Sequence, residues 1–330
     1  MMNWLLAGPE VIQSWLFERA VQPALFGLGL MRYAEDAYTA TGFAVLGLLQ
    51  VALIAAILRP LEAWVPVERW ADRRAVRPDM LYTLLERLGA IPLALFFLLQ
   101  PWVDRIDATV RLHGWWIPPN LEDLVPGLAA RPLLAFLVYL AVLDLSEYAR
   151  HRLQHRFSWW WALHSVHHSQ RQLSFWADDR NHLLDVVIAD LWRAAVALAI
   201  GVPGGQFVAV VLLNRGLESL AHANVRFGFG RMGDRALVSP RYHRIHHAMG
   251  LGHEGPARGC NFASLLPVWD ILFRTADFRA LFAPTGIADQ LDGADYGRGL
   301  LSQQWVGLVR LARSLTGSAA MPRVSALRPD

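Results

Sequence analysis

Long apolar stretches in the first half of the chain alternate with short polar connections. Residues 41–58 contain no charged residue. Since an apolar helix of about 20 residues is long enough to cross a bilayer, this stretch predicts a first membrane span. Residues 80–100 predict a second span and residues 132–149 predict a third. Residues 11–34 are apolar but include charges and a proline, which favours an interfacial helix over a span.

A fourth apolar region, residues 185–218, is interrupted by the sequence GVPGG at 201–205. Because glycine and proline end helices, two helices are predicted, over 185–200 and 206–218. We expect them to form a hairpin that enters the membrane and returns, so that the polar residues on either side of it share one face. Further along, residues 300–313 are amphipathic at helical spacing, which predicts a helix on the membrane surface.

Composition also favours a membrane protein. The 330 residues are 54% hydrophobic and 18% charged, against about 25% charged in soluble domains. Mean hydropathy is +0.27. The net charge of +3 is too small to indicate a nucleic-acid partner, and 14 tryptophans suit a membrane interface. A single cysteine, Cys260, excludes an internal disulfide and a thiolate metal site, so a metal here needs nitrogen and oxygen ligands.

The arginines in the loops predict an orientation. Loop 59–79 contains five arginines and loop 101–131 contains three. The positive-inside rule therefore places loop 59–79 in the cytoplasm. Three spans then place the residues after 149 on the same side. We expect a multi-pass integral membrane protein whose active site faces the cytoplasm.

Histidines are concentrated in the second half of the chain, where ten of the twelve lie between residues 151 and 247. The sequence HRLQH begins at residue 151, HSVHH at residue 164, and a second HxxHH at residue 243. Residues three and four apart share one face of a helix, so each group can aim its imidazoles at one point. The ten candidate ligands are His151, His155, His164, His167, His168, His182, His222, His243, His246 and His247.

This number of histidines indicates more than one metal. Imidazole nitrogen suits Zn, Cu, Fe and Ni, and one ion takes roughly three or four protein ligands. A bis-histidine haem protein would place its ligands inside apolar spans, whereas these follow the spans. A membrane zinc protease would show HExxH, and the His253-Glu254 pair has no histidine three residues later.

The order HRLQH, HSVHH, NHLLD, AHANV, RYHRIHH and NFASLLPVWDILFRT resembles the fatty acid hydroxylase / sterol desaturase superfamily, whose members are integral-membrane, histidine-rich di-iron oxygenases. The resemblance covers roughly residues 140–275. His182 falls where the family often has His-Pro, but Leu183 replaces the proline. After Asp270 the family usually reads Phe-Gly-Thr, whereas this chain reads FRT at 273–275.

The resemblance implies an all-α, polytopic membrane protein with a cytosolic, histidine-rich di-metal helical cap. It implies that all ten histidines contribute to a site for two Fe ions, with O2 as co-substrate. The implied reaction is hydroxylation or desaturation of a C–H bond in a lipid such as a sterol or a fatty acyl chain. Because the sequence has no flavin, nicotinamide or haem motif, electrons are expected from a separate ferredoxin- or cytochrome-type protein.

We expect three regions along the chain. Residues 1–140 are predicted to form N-terminal membrane helices. Residues 141–280 are predicted to form the histidine-rich catalytic region, including the membrane hairpin near 185–218. Residues 281–330 are predicted to hold the C-terminal amphipathic helix and a tail, whose last dozen residues are expected to be disordered.

Two acidic residues are candidates for orienting the ligands. Asp144 and Glu147 lie seven and four residues before His151, on its helical face, and carboxylates commonly hold ligating histidines. The alternative is that they are helix-end acids near Arg150 and Arg152. A different class of function, a metal store or transporter, would place its ligands along the spans near the bilayer midplane. The position of the histidines beyond the spans favours the enzyme.

Overall fold

The computed structural model describes residues 2–70, 72–114, 120–253 and 259–316. Within these ranges the chain is helical and forms no β-strand, which confirms the all-α prediction. The helices are α1 Met2–Leu16, α2 Gln22–Gly27, α3 Ala34–Trp64, α4 Arg77–Arg87, α5 Ala90–Leu112, α6 Leu121–Leu124, α7 Pro132–Arg156, α8 Ser158–His168, α9 Leu183–Ile200, α10 Gly204–His222, α11 Gly230–Ala236, α12 Pro240–His246, α13 Val268–Leu272 and α14 Leu300–Leu315.

In the part of the chain that the structure describes, two helical stretches are long and apolar enough to cross a membrane. One is Met31–Trp64, with a mean hydropathy of 2.3, and the other is Pro132–Arg156, with 1.5. Large apolar side chains on α3, among them Leu48 and Leu53, are exposed, as expected of a surface that faces lipid. The first and third predicted spans therefore lie inside longer helices.

The second predicted span is not one continuous helix. Gly89 has φ 86°, in the left-handed region, where an α-helix cannot continue. The Gly89 amide donates to Glu86 O at 3.2 Å, which closes the last turn of α4, and α5 then begins at Ala90. A glycine inside an apolar run has thus ended a helix that the run alone suggested would continue.

The predicted break in the fourth apolar region is confirmed. Gly201 ends α9 with φ 63°, and Val202 donates its amide back to Ala197 O at 3.1 Å. A Cβ at Gly201 would collide with Asn120, so this position needs glycine for both its dihedral and its close contact. Helices α9 and α10 both pack against α7. Their shared core is the cluster Leu140, Leu143, Val210 and Leu265.

The chain divides into two compact units. One comprises Met1–Arg59 with Thr83–His113, and the other comprises Pro60–Tyr82 with Gly114–Asp330. The functional division predicted at residues 140 and 280 stays a prediction. All the candidate metal ligands belong to the second unit.

Helix α14 belongs to the second unit because it packs along α8. Gln304 on its inner face donates to the hydroxyl of Tyr82 at 2.8 Å and accepts the amide of Leu183 at 2.7 Å. On its outer face Leu301 and Trp305 are exposed. The predicted amphipathic helix is therefore present. The last dozen residues lie outside the described residues.

Candidate metal centre

Four helices bring the histidines together. His151 and His155 lie at the end of α7, and α8 follows directly after Phe157, whose extended backbone (ψ 124°) turns the chain. Helix α10 ends at His222. Helix α12 begins where the Ser239 hydroxyl accepts the Tyr242 amide at 3.3 Å, a helix cap reinforced by proline in the first turn. These local signals set where each helix that carries the histidines begins or ends.

Nine of the ten predicted histidines form two groups. Within each group the offered ligand atoms all lie within 4.8 Å of one another, and every member is buried. The five-histidine group consists of His151, His155, His164, His168 and His246. The four-histidine group consists of His167, His222, His243 and His247.

Each HxxHH sequence contributes to both groups. On α8, His164 and His168 are one turn apart and join the five-histidine group, whereas His167 points to the other. In the second HxxHH, His246 joins the five-histidine group, whereas His243 and His247 join the four-histidine group. The two groups are adjacent, since the rings of His168 and His247 have centroids 4.4 Å apart.

The four-histidine group has the spacing of ligands around one ion. The Nε2 atom of His222 lies 3.2 Å from that of His167 and 3.1 Å from that of His243. The Nε2 atom of His247 lies 3.1 Å from that of His243. Nitrogens bound at about 2.0–2.1 Å to one metal are about 3 Å apart. The contacts therefore fit a shared ion.

The five-histidine group holds buried nitrogens that lack hydrogen bonds. The Nε2 atoms of His151, His164 and His246 have no hydrogen-bond partner in the described chain, nor does either ring nitrogen of His155 or His168. Leaving a buried polar atom unpaired costs about 1–3 kcal/mol. A metal ion would satisfy these nitrogens, so the donor set fits one.

The opposite ring nitrogens of three histidines in this group are hydrogen-bonded, which fixes the orientation of each ring. The three contacts are His151 Nδ1 to Phe262 O at 2.8 Å, His246 Nδ1 to Cys260 O at 2.7 Å, and His164 Nδ1 to Asp185 Oδ2 at 3.1 Å.

Four histidines beyond the candidate spans lie in an environment that favours the neutral imidazole. Burial, with a contribution from neighbouring imidazoles, holds the pKa of His167, His168, His243 and His247 well below its usual value. A metal ligand must be the neutral imidazole, so this environment favours metal binding.

His182 is not brought to either group. Its Nε2 lies 2.9 Å from Gln304 O, and its Nδ1 accepts the Leu184 amide at 3.1 Å, which caps the start of α9. Leu183, in the place of the family's proline, donates its amide to the Gln304 side chain at 2.7 Å. A proline has no such donor. We therefore leave His182 out of the proposed ligand set.

Neither predicted orienting acid hydrogen-bonds a histidine among the described residues. Asp144 accepts the amides of Leu265 and Leu266 at 3.0 Å each and the Trp269 indole N–H at 2.8 Å. Glu147 pairs with Arg150 at 2.6 Å. Asp144 thus fastens the loop before α13 to α7.

The sequence reasoning missed two residues beside the five-histidine group. Asp185 lies in the first turn of α9 and contacts His164. The sequence feature that could have identified it is an acidic residue at the start of an apolar helix, where burying a charge costs free energy. His253 is buried, and its ring stacks on that of Trp161 with the centroids 5.1 Å apart. The centroids of the His253 and His168 rings are 4.8 Å apart. Burial lowers the pKa of His253 to about 3. No spacing rule in the sequence pointed to His253.

Comparison with known proteins agrees with this arrangement. The sequence model of the fatty acid hydroxylase family matches residues 136–275. Ornithine lipid hydroxylase OlsE of Rhizobium tropici is 27% identical over 234 residues, which cover 67% of this chain and 63% of that protein. The human alkylglycerol monooxygenase is 27% identical over 135 residues, covering 40% of this chain and 28% of its own. No solved structure matches significantly.

The alignments thus span less than two thirds of the length of these relatives. The matched region nevertheless contains both histidine groups completely, together with Asp185 and the loop that carries Phe262. Residues 136–275 match the fatty acid hydroxylase family, and the relatives support the resemblance to the fatty acid hydroxylase superfamily.

Proposed function

We propose that this chain is a membrane-bound oxygenase that hydroxylates a lipid C–H bond with O2 and external electrons. The observation that carries the proposal is the convergence of nine buried histidines on two adjacent points inside the matched region. In the balanced reaction, R–H, O2, two electrons and two protons give R–OH and H2O. One oxygen atom enters the C–H bond and the other is reduced to water.

The donor set suits two iron ions, one in each histidine group, which when bound would supply the activation of O2. Imidazole is a favourable ligand for iron, and the chain offers no thiolate to either group. The protein itself holds the nitrogens in place and excludes water. The ring of Phe262 packs 5.1 Å from His155 and 5.7 Å from His246, which makes one wall of the five-histidine group apolar.

The proposed substrate is a lipid that reaches the histidines from the bilayer. Helix α7 is apolar over its first half and carries His151 and His155 in its last turns, so it connects a candidate membrane span directly to the site. The two relatives, an ornithine lipid hydroxylase and an alkylglycerol monooxygenase, suggest an aminolipid or an ether lipid as first substrates to test. We place the site on the cytoplasmic face of a multi-pass protein.

The electrons are proposed to come from a separate ferredoxin- or cytochrome-type protein. The sequence contains no flavin, nicotinamide or cytochrome-type haem motif that would carry them within this chain. The donor therefore belongs in any reconstituted assay.

The test is reconstitution of the purified protein in detergent. We expect about two iron ions per chain, and oxygen from labelled O2 in the product when an ornithine lipid or an alkylglycerol is supplied with a ferredoxin and its reductase. His243→Ala should abolish turnover, whereas His113→Ala, which changes a histidine outside both groups, should not. A protein that loads with iron but incorporates no labelled oxygen into any lipid of the panel would contradict the proposal.

A further inference from the structure

Asp185 is a buried carboxylate held by three donors from two helices. Its side chain is 2% exposed. It accepts from Gln154 Nε2 at 2.8 and 2.9 Å, from Trp160 Nε1 at 2.7 Å and from His164 Nδ1 at 3.1 Å. Burying a carboxylate is costly unless such donors compensate, so the three contacts fix its position.

The contact with His164 determines how that imidazole faces the five-histidine group. Because Nδ1 donates a hydrogen bond to the Asp185 carboxylate, Nε2 on the other side of the ring is the nitrogen available to a metal. That Nε2 atom is buried and has no hydrogen-bond partner in the described chain. An imidazole whose other ring N–H donates a hydrogen bond to a carboxylate is also a more basic metal ligand.

The four-histidine group is held differently. The Nδ1 atom of His222 hydrogen-bonds the backbone carbonyl of Glu218 at 2.8 Å. The Nδ1 atoms of His167, His243 and His247 have no hydrogen bond to a carboxylate among the described residues. Three members of this group thus lack the support that His164 receives from a carboxylate.

We propose that Asp185 is a positioning residue that makes the five-histidine group the tighter of two unequal metal sites. The inference rests on the proposed function, since it assumes that both groups hold an ion. Five nitrogens against four, and one ring fixed by a carboxylate, both strengthen binding in the first group. Metal should therefore load in two separate steps, first into the five-histidine group.

The experiment titrates Co²⁺ into the full-length apo-protein in detergent and follows binding by calorimetry and visible absorption. Wild type should show a tight step and a weaker step. His168→Ala should remove the tight step and His247→Ala the weaker one, which assigns each step to a group. Asp185→Asn should weaken the tight step about 10–100-fold and leave the weaker step unchanged, the range found when such outer partners are lost.

Asp144→Asn is the matched control. Asp144 also accepts three hydrogen bonds, one of them from a tryptophan, but its donors are Leu265, Leu266 and Trp269 and none is a histidine. The Asp144→Asn variant should leave both metal-binding steps unchanged, and circular dichroism checks that its helical fold is intact. Asp185→Glu keeps the charge, and should shift the tight step in the same direction by a smaller factor.

The outcomes separate this inference from the proposed function. A wild-type chain that binds no metal would contradict the proposed function itself. Two equal steps, a tight step that disappears in His247→Ala, or a tight step unchanged in both Asp185 variants would overturn the inference while leaving the oxygenase proposal intact. A tight step that weakens equally in Asp144→Asn would also overturn it, because the effect would then be general to buried carboxylates.

Discussion

The Nε2 atoms of His222 and His243 lie 3.1 Å apart, although one residue ends α10 and the other lies in α12. Burial, together with neighbouring histidines, holds the pKa of His243 well below its usual value, so that its ring is neutral. His222 makes the same kind of contact with His167 at 3.2 Å. One ring cannot donate a proton to both neighbours through the same atom, so a shared metal ion accounts for the geometry better than hydrogen bonds do.

Removing metal is therefore expected to destabilise the protein. An ion held at about 100 times its dissociation constant adds about 2.7 kcal/mol to the free energy of unfolding, and the two groups offer two such contributions. Dialysis against a chelator should lower Tm, as followed by circular dichroism, and restoring Fe²⁺ without oxygen should recover it. An identical Tm with and without bound metal would contradict the assignment of these buried nitrogens as ligands.

His222 and His182 are expected to differ when each is changed to alanine. His222→Ala removes one of four nitrogens from its group, so bound metal and nearly all activity should be lost. His182→Ala removes a helix cap and a contact with α14, which should cost about 1–2 kcal/mol of stability and only part of the activity. Iron analysis, Tm and turnover of the two purified variants distinguish the roles. Equal metal loss in both variants would show that His182 also binds.

Helical spacing was sufficient to predict eight of the nine histidines that converge, and the resemblance to the family supplied the ninth, His222. Spacing did not predict how the nine are divided between the two groups. The i, i+3, i+4 rule places His164, His167 and His168 on one face of α8. Which of them joins which group depends on how α12 and α10 pack against that face, and that packing is set by contacts between residues far apart in sequence. For the same reason Asp185, 21 residues after His164, was missed.

Asp144 illustrates the limit of local reasoning. Its position seven residues before His151 suggested a partner on the same helix, but its actual donors lie 121, 122 and 125 residues later. Conversely, the break at Gly201 was predictable because a glycine and a proline act on their own backbone. The break at Gly89 was not, since that glycine is embedded in an apolar run and a single glycine is often tolerated in a helix.

Both sides of the predicted hairpin should be reached from the cytoplasm. Asp185 at the start of α9 and His222 at the end of α10 each contact a histidine of α8. The two ends of the hairpin therefore lie beside the same helix. Arg171 and Leu281 are exposed. Cysteines at these two positions should react with an impermeant thiol reagent in inside-out vesicles and not in intact cells.

The labelling experiment uses a chain with Cys260→Ser, so that the introduced cysteine is the one that reacts. This change spares the contact with His246, which uses the backbone carbonyl of residue 260 and not the thiol. Burial raises the pKa of the Cys260 thiol to about 12, so the native cysteine should react slowly in any case. Labelling of the two positions from opposite sides would contradict a hairpin that returns.

Arg274 is the residue at which this chain departs from the Phe-Gly-Thr usual in the family that it resembles, and its backbone conformation gives the last prediction. It follows α13 and has φ 59°, a left-handed conformation that costs a residue with a Cβ about 1–2 kcal/mol and costs glycine almost nothing. Glycine is the usual residue just after a helix for this reason, and the family that this sequence resembles usually has glycine at this position. The Arg274 side chain is exposed, so little is lost when it is removed.

Arg274→Gly should therefore raise the free energy of unfolding by about 1 kcal/mol, after allowance for the greater freedom of glycine in the unfolded chain. Arg274→Ala is the control, because it removes the guanidinium but keeps the Cβ, and it should give no such gain. Neither variant should change metal content, since the turn is linked to the loop that carries Phe262 by Asp270 and by the Thr275 carbonyl, and not by the Arg274 side chain. Asp270 accepts the amides of Phe262 and Ala263 at 2.9 Å each, and Thr275 O accepts the Asn261 amide at 2.9 Å. Equal stabilisation in both variants would show that the arginine side chain, and not its backbone conformation, is the source of the strain.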